Sequence, residues 1–162
     1  MTKNVQAIPT GLAGPIPHLV AKDASAALAF YVKAFGAQEV CRMPGPDGRL
    51  MHAEFTLDGR MVFLADDFPE YCGGKEMNPN ALGGTGVTIH RYVADCDAAI
   101  ERATKAGATV VMPPMDMFWG DRYGLVRDPF GHHWAFATHI KDMTPDEMLA
   151  ASKACFEQPA AK

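Results

Sequence analysis

The chain of 162 residues has no apolar run of membrane-spanning length, no basic run and no closely paired cysteines. The first absence excludes a transmembrane helix. The second removes the electrostatic footprint of a nucleic-acid binder, and 15 Lys and Arg stand against 19 Asp and Glu. The third leaves Cys41, Cys72, Cys96 and Cys155 scattered, so reduced thiols are expected rather than a zinc cluster or a disulfide framework. No apolar signal core follows Lys3, which makes the cytoplasm the expected compartment. GxGxxG, P-loop, Gly-x-Ser-x-Gly and HExxH patterns are missing as well. The length suits one compact domain or two small modules sharing a core. The ten methionines suggest an adaptable apolar core or pocket lining.

What is present is a chain of short alternating segments. Residues 1–15, rich in glycine, proline and small polar side chains, read as an irregular lead-in. Ile16 to Val20 reads as a strand. Asp23 and Ser25 then open a helix carrying Leu28, Tyr31, Val32 and Phe35 at helical spacing, and Gly36 is placed to end it. Strands follow over residues 37–43, 49–57 and 60–65, joined by Pro44-Gly45-Pro46-Asp47-Gly48 and by Asp58-Gly59. In the middle strand Met51, Ala53, Phe55 and Leu57 point one way, while Leu50, His52, Glu54 and Thr56 point the other. The apolar face wants a helix above it; the polar face suits a wet cavity. Residues 66–86 read as a linker. The pattern then restarts with a strand over 87–93, a helix from Asp95 to Gly107 and strands over 109–112, 122–127 and 132–139. Pro113-Pro114 interrupts the first of these or confines it to an edge. Thr144-Pro145-Asp146-Glu147 opens a final helix that runs to about Phe156.

The restart is a repeat. His18 and His90 each precede an aspartate by five residues, and Asp23 to Gly59 spans the same 36 residues as Asp95 to Gly131. Gly36 and Gly107 also fall at matching places. The expected organisation is one α+β domain over residues 1–162. It comprises a module at about 15–67, a linker at about 68–85, a second module at about 86–140 and a C-terminal helix at about 144–156. Each βαβββ module can bury only one sheet face under its helix. The other faces are expected to form a cupped mixed sheet around a cavity.

Phe30-Tyr31 with Ala34-Phe35-Gly36-Ala37, Arg42-Met43 with His52-Ala53-Glu54, Phe118 to Arg122, and Asp128-Pro129-Phe130-Gly131-His132 with Thr138-His139 carry a family likeness. On these residues the chain resembles the vicinal oxygen chelate superfamily of glyoxalases, bleomycin-resistance proteins and extradiol dioxygenases, and within it the PhnB-like subgroup. The resemblance covers roughly residues 16–148. It implies a small-molecule site, often built by a homodimer, and in metal-using members two ligands per module. Those ligand positions correspond here to Ile16, Phe63, Thr88 and Ala135. None suits a divalent metal, which needs imidazole, carboxylate or thiolate.

The expected function is therefore metal-independent binding of an aromatic or amphipathic ligand, with no cofactor. The alternative is a metal-assisted lyase, isomerase or dioxygenase using a divalent metal on displaced ligands, such as His52, Glu54 and His90. Candidate ligand-binding residues are His18, His52, Phe63, His90, Met117, Trp119, Arg122, Tyr123 and His133. His18, His52, Glu54, His90, His133 and His139 share the expected cavity side, where strand histidines can equally well bond one another or water. Glu54 is a candidate general base if its surroundings are dry enough to raise its pKa. Trp119 and Tyr123 could stack on a ligand and Arg122 could hold an anion. The same loop could be structural, with Arg122 paired to Asp121 or Asp128. Trp134, Phe136, Phe30, Tyr31 and Phe35 are expected in the core. Asp23, Asp95 and Asp128 are expected as caps and turn residues. Cys96, in a helix start, could have a lowered pKa, but no activating partner is in view and an unreactive thiol is the expected reading.

Overall fold

A computed structural model describes residues 5–157, so the first four residues of the predicted lead-in lie outside it. The chain divides into two compact units, one ending at Gly83 and one beginning at Gly84. In the first, β1 (His18–Ala21), α1 (Ala24–Phe35), β2 (Gln38–Pro44), β3 (Leu50–Leu57) and β4 (Arg60–Asp66) form a sheet of order β1-β4-β3-β2. β1 runs parallel to β4; the other pairs are antiparallel. The expected linker holds a 3₁₀ turn, Pro69–Tyr71, and a short helix α2, Pro79–Leu82. The second unit repeats the plan with β5 (Thr88–Tyr92), α3 (Cys96–Ala106), β6 (Thr109–Asp116), β7 (Asp121–Arg127) and β8 (His133–His139), in the order β5-β8-β7-β6. α4 (Pro145–Glu157) follows. The fold is thus α+β, with two four-stranded mixed sheets and a C-terminal helix. No helix among the described residues is long and apolar enough to cross a membrane.

The helices start where their caps dictate. Asp23 accepts the Ala26 amide at 2.8 Å, and Asp95 accepts the Ala98 amide at 2.9 Å. α1 ends on Gly36 in the left-handed conformation. α1 lies on its own sheet, where Tyr31 stacks on Phe55 with ring centroids 5.3 Å apart. α3 buries Ala99, Ile100 and Ala103. Thr144 and Glu147 close the capping box of α4, with each side chain bonding the other's backbone amide.

A second anchor joins each helix to the last strand of its module. Asp66, at the end of β4, accepts the Ala24 amide at 2.8 Å and the Leu50 amide at 2.5 Å. Thr138, 72 residues later on β8, accepts the Cys96 amide at 2.8 Å. The repeat extends to an irregularity. β2 slips register against β3 between Glu39 and Cys41, and β6 slips against β7 between Val110 and Met112. β6 continues through Pro113 and Pro114 as an edge strand with a further shift, the arrangement a missing amide permits.

Two expectations change. Val32 is exposed although it shares the helical stripe, because Leu28, Tyr31 and Phe35 fill the face toward the sheet. Met51 is exposed and Leu50 buried, the reverse of the predicted parity at that end of β3. There the neighbours are the β2–β3 turn and residues 68–71, and the Leu50 amide is drawn onto Asp66. Cys96 is buried and its thiol donates to the Phe136 carbonyl at 3.2 Å. Burial pushes its pKa up, helped by Asp97, rather than down.

Candidate functional site

The stretch Asp128 to His139 frames the second module. Asp128 is buried and accepts the Phe130 and His132 amides and the Trp134 indole N–H, all at 2.9 Å. Three donors on one carboxylate hold the turn and deliver Trp134 and Phe136 into the core, as their parity predicts. Alternation along β8 then places the even-numbered aromatics under α3 and leaves the other face without a helix.

In the first module the helix-free face carries His18, His52, Glu54 and Phe63. Strand register sets His18 beside Phe63 and Phe63 beside Glu54. Phe63 sits edge-on to both imidazoles, with centroids 6.0 Å from His18 and 4.9 Å from His52. His52 Nε2 lies 3.2 Å from Glu54 Oε1. Desolvation and the neighbouring His52 lower the pKa of His18, which favours a neutral imidazole able to both donate and accept. The face combines an aromatic floor, two imidazoles and one carboxylate.

In the second module His90 takes the place of His18, but its register neighbour is Ala135. Two residues on, Tyr92 and Tyr123 flank Ala137 from either side. His90 stacks on Tyr123 at 5.9 Å and meets Tyr92 edge-on at 4.9 Å. Trp119 stands edge-to-face against Tyr123 at 5.9 Å. Beneath them is buried Asp121, which accepts from Tyr92 Oη at 2.9 Å, Trp119 Nε1 at 3.1 Å and His139 Nδ1 at 2.8 Å. Burial pushes the Asp121 carboxyl up, but these three bonds outweigh it and hold the group below the usual range. His139 also reaches Asp142 through Nε2 at 3.0 Å. Bonding to Asp142 and to Asp121 raises the His139 pKa.

The structure brings some predicted residues together and separates others. His18, His52, Glu54 and Phe63 form one group; His90, Trp119 and Tyr123 form another. Met117 lies half-buried in the β6–β7 turn, and half-buried His133 starts β8 opposite Thr88. Arg122 joins neither group. It is paired with Asp97 of α3 and with Asp116 at 2.9 Å, on the helix side of β7. Its partners are neither Asp121 nor Asp128, because Asp97 comes within reach only when α3 packs on β7. Sequence reasoning missed Tyr92 and Asp121. Tyr92 shares the parity of His90 and was detectable; the burial of Asp121 was not.

The superfamily's metal positions carry no suitable donors here. Phe63 is engaged with imidazoles, Ala135 is buried and lacks a donor, Thr88 offers only a hydroxyl, and Ile16 none. Of the alternative set, His52 and Glu54 belong to the first module, where His52 Nε2 lies 3.2 Å from Glu54 Oε1, and His90 belongs to the second. Among the described residues no three His, Cys, Asp or Glu side chains form a metal-binding group.

Residues 15–136 match the family model described as the Glyoxalase/Bleomycin resistance protein/Dioxygenase superfamily. The chain belongs to this superfamily. The uncharacterized protein Rv0887c of Mycobacterium tuberculosis is 56% identical over 135 residues, covering 83% of this chain and 79% of its own. Among solved structures, TioX from Micromonospora sp. ML1 is similar at 32% identity and TM-score 0.59, over 78% of this chain and 100% of that one. The Arabidopsis thaliana At5g48480 product is similar at 28% identity and TM-score 0.62, over 77% and 98%. Membership of the Glyoxalase/Bleomycin resistance protein/Dioxygenase superfamily accounts for the paired βαβββ units. The chemistry has to be read from the faces themselves.

Proposed function

We propose that this superfamily member binds a small aromatic or amphipathic molecule without needing a metal. On this reading it is a PhnB-like, bleomycin-resistance-type binding protein that works as a cytoplasmic homodimer. The observation that carries the reading is the loss of donor side chains at the metal positions. Phe63 occupies one carboxylate position, edge-on to His18 and His52, and Ala135 the other, beside His90. In the first module a ligand's aromatic part would lie against Phe63, its polar edge would meet His18 or His52, and Glu54 would receive a ligand N–H or O–H. In the second module the aromatic part would lie against Tyr123 and Trp119 and the polar edge would meet His90.

The test is direct. Metal content is measured in tag-free protein, and thermal stability is followed while Ni²⁺, Zn²⁺, Mn²⁺ and Fe²⁺ are added. The same protein is then offered a panel of aromatic amphiphiles. The expected outcome is no metal effect and a rise in Tm with one or more amphiphiles, lost in His52→Ala or Tyr123→Ala. Stoichiometric metal binding that disappears in His52→Ala or His90→Ala would sink the reading in favour of metal-assisted chemistry, for which the His52–Glu54 pair is the starting observation.

A further inference from the structure

A cavity of about 180 Å³ opens at the end of the first module remote from Asp58-Gly59. Its walls are Gly45, Pro46 and Asp47 of the β2–β3 turn, Arg49 and Met51, and Phe68 and Tyr71 beyond β4. Two large apolar side chains stand open there, Met51 at 56% exposure and Tyr71 at 83%. The Arg49 guanidinium lies over the Phe68 ring, 4.2 Å from its centroid.

The charges decide what such a cavity accepts. Arg49 Nε donates to Asp47 at 2.7 Å, Nη1 to the Asp67 carbonyl at 3.2 Å and to Glu70 at 3.3 Å, and Nη2 to Glu70. Its donors are therefore committed, and an entering anion meets no free one. Asp47 and Glu70 keep about half of their side-chain surface in solvent, at 49% and 46%, and can still accept. One guanidinium against two carboxylates leaves the rim negative. Tyr71 adds an open π face.

We infer that this cavity is a binding site for a small planar aromatic cation. The ring would lie among Met51, Pro46 and Tyr71, and the cationic group would face Asp47 and Glu70. The volume is below that of a drug-sized pocket, about 300 Å³ and upward, so one ring system fills it. The site shares no residue with the two ring clusters and stands independently of the function proposed above.

The test uses the full chain labelled with ¹⁵N and two probes with one ring and opposite charge, tryptamine and indole-3-propionate. Tryptamine is expected to shift the amides of Gly45, Asp47, Met51 and Tyr71 saturably, and to bind about fivefold more tightly than the anion, the scale of a solvent-exposed charge contact. The Asp47→Asn/Glu70→Gln double variant makes the rim positive and is expected to reverse the preference. Tyr71→Ala, at an exposed position, is expected to weaken tryptamine while leaving distant amides unmoved, and it serves if the double variant does not fold. Equal affinity for the two probes would overturn the inference. So would shifts confined to His18, His52 and Phe63 or to His90 and Tyr123, or no saturable shift.

Discussion

The β2–β3 turn and the β6–β7 turn are the same device in two settings. Gly45 and Met117 are 72 residues apart, and each donates its amide to the residue four further on. Gly48 and Gly120 occupy matching places and both have positive φ. In the first module nothing lies within 4 Å of a side chain built at Gly48, and a cavity opens beside the turn. In the second, Ile140 and Lys141 both donate to the Gly120 carbonyl at 3.0 Å, and His139 and Trp119 close on Asp121. A shared backbone frame can therefore end in an open slot or a sealed corner. The difference is made by the residues that follow the last strand.

Alanine at the two glycines should separate these settings most clearly. At Gly120 a Cβ would stand 2.2 Å from the Lys141 carbonyl oxygen, on a backbone with φ of +95°. Gly120→Ala is expected to cost about 3 kcal/mol in urea unfolding. Gly48→Ala meets only the left-handed backbone penalty, about 1 kcal/mol. Equal losses would show that the C-terminal segment does not seal the turn.

A smaller contrast is expected at the strand-to-helix anchors. Asp66→Ala strands two buried amides, of Ala24 and Leu50, and should cost about 2 kcal/mol. Thr138→Val removes the bond from Cys96 and the one Thr138 gives to the Val93 carbonyl, and should cost about 1 kcal/mol. Unfolding curves in which Thr138→Val loses more would reverse the ranking of the anchors.

The smallest effect is a pair of opposite pH dependences. His139 has a raised folded-state pKa, so its contribution is complete below the unfolded value and is lost as pH rises through the folded one. His18 has a lowered pKa, so its contribution is present above the unfolded value and is lost as pH falls through the folded one. Melting curves from pH 5 to 8 should lose the alkaline decline in His139→Gln and part of the acid decline in His18→Gln. Parallel profiles would remove this distinction between the modules.

The frame was readable because it is written in local chemistry. Asp23, Gly36, Asp95, Gly107 and Asp128 fix caps and turns through neighbours a few residues away. Parity then named the helix-free faces, including His18, His52 and His90. Parity holds only along a regular strand, and β3 bulges at Met51, since Met43 pairs with His52 and Pro44 with Leu50, which is why Met51 was misread. Arg122 was assigned to the ligand because its partner Asp97 lies 25 residues away. The same limit hid the Tyr92–Asp121–His139 network, whose members come from three strands.

The two hydrogen bonds that Ile140 and Lys141 donate to the Gly120 carbonyl have a mechanical consequence. The segment leading to α4 is fastened to the tip of the hairpin that carries Trp119 before it is fastened to anything else beyond β8. A load attached past α4, whether a fused domain or an affinity tag, is thus in series with the Trp119 turn. Probes of that ring cluster should carry their handle at the other end of the chain.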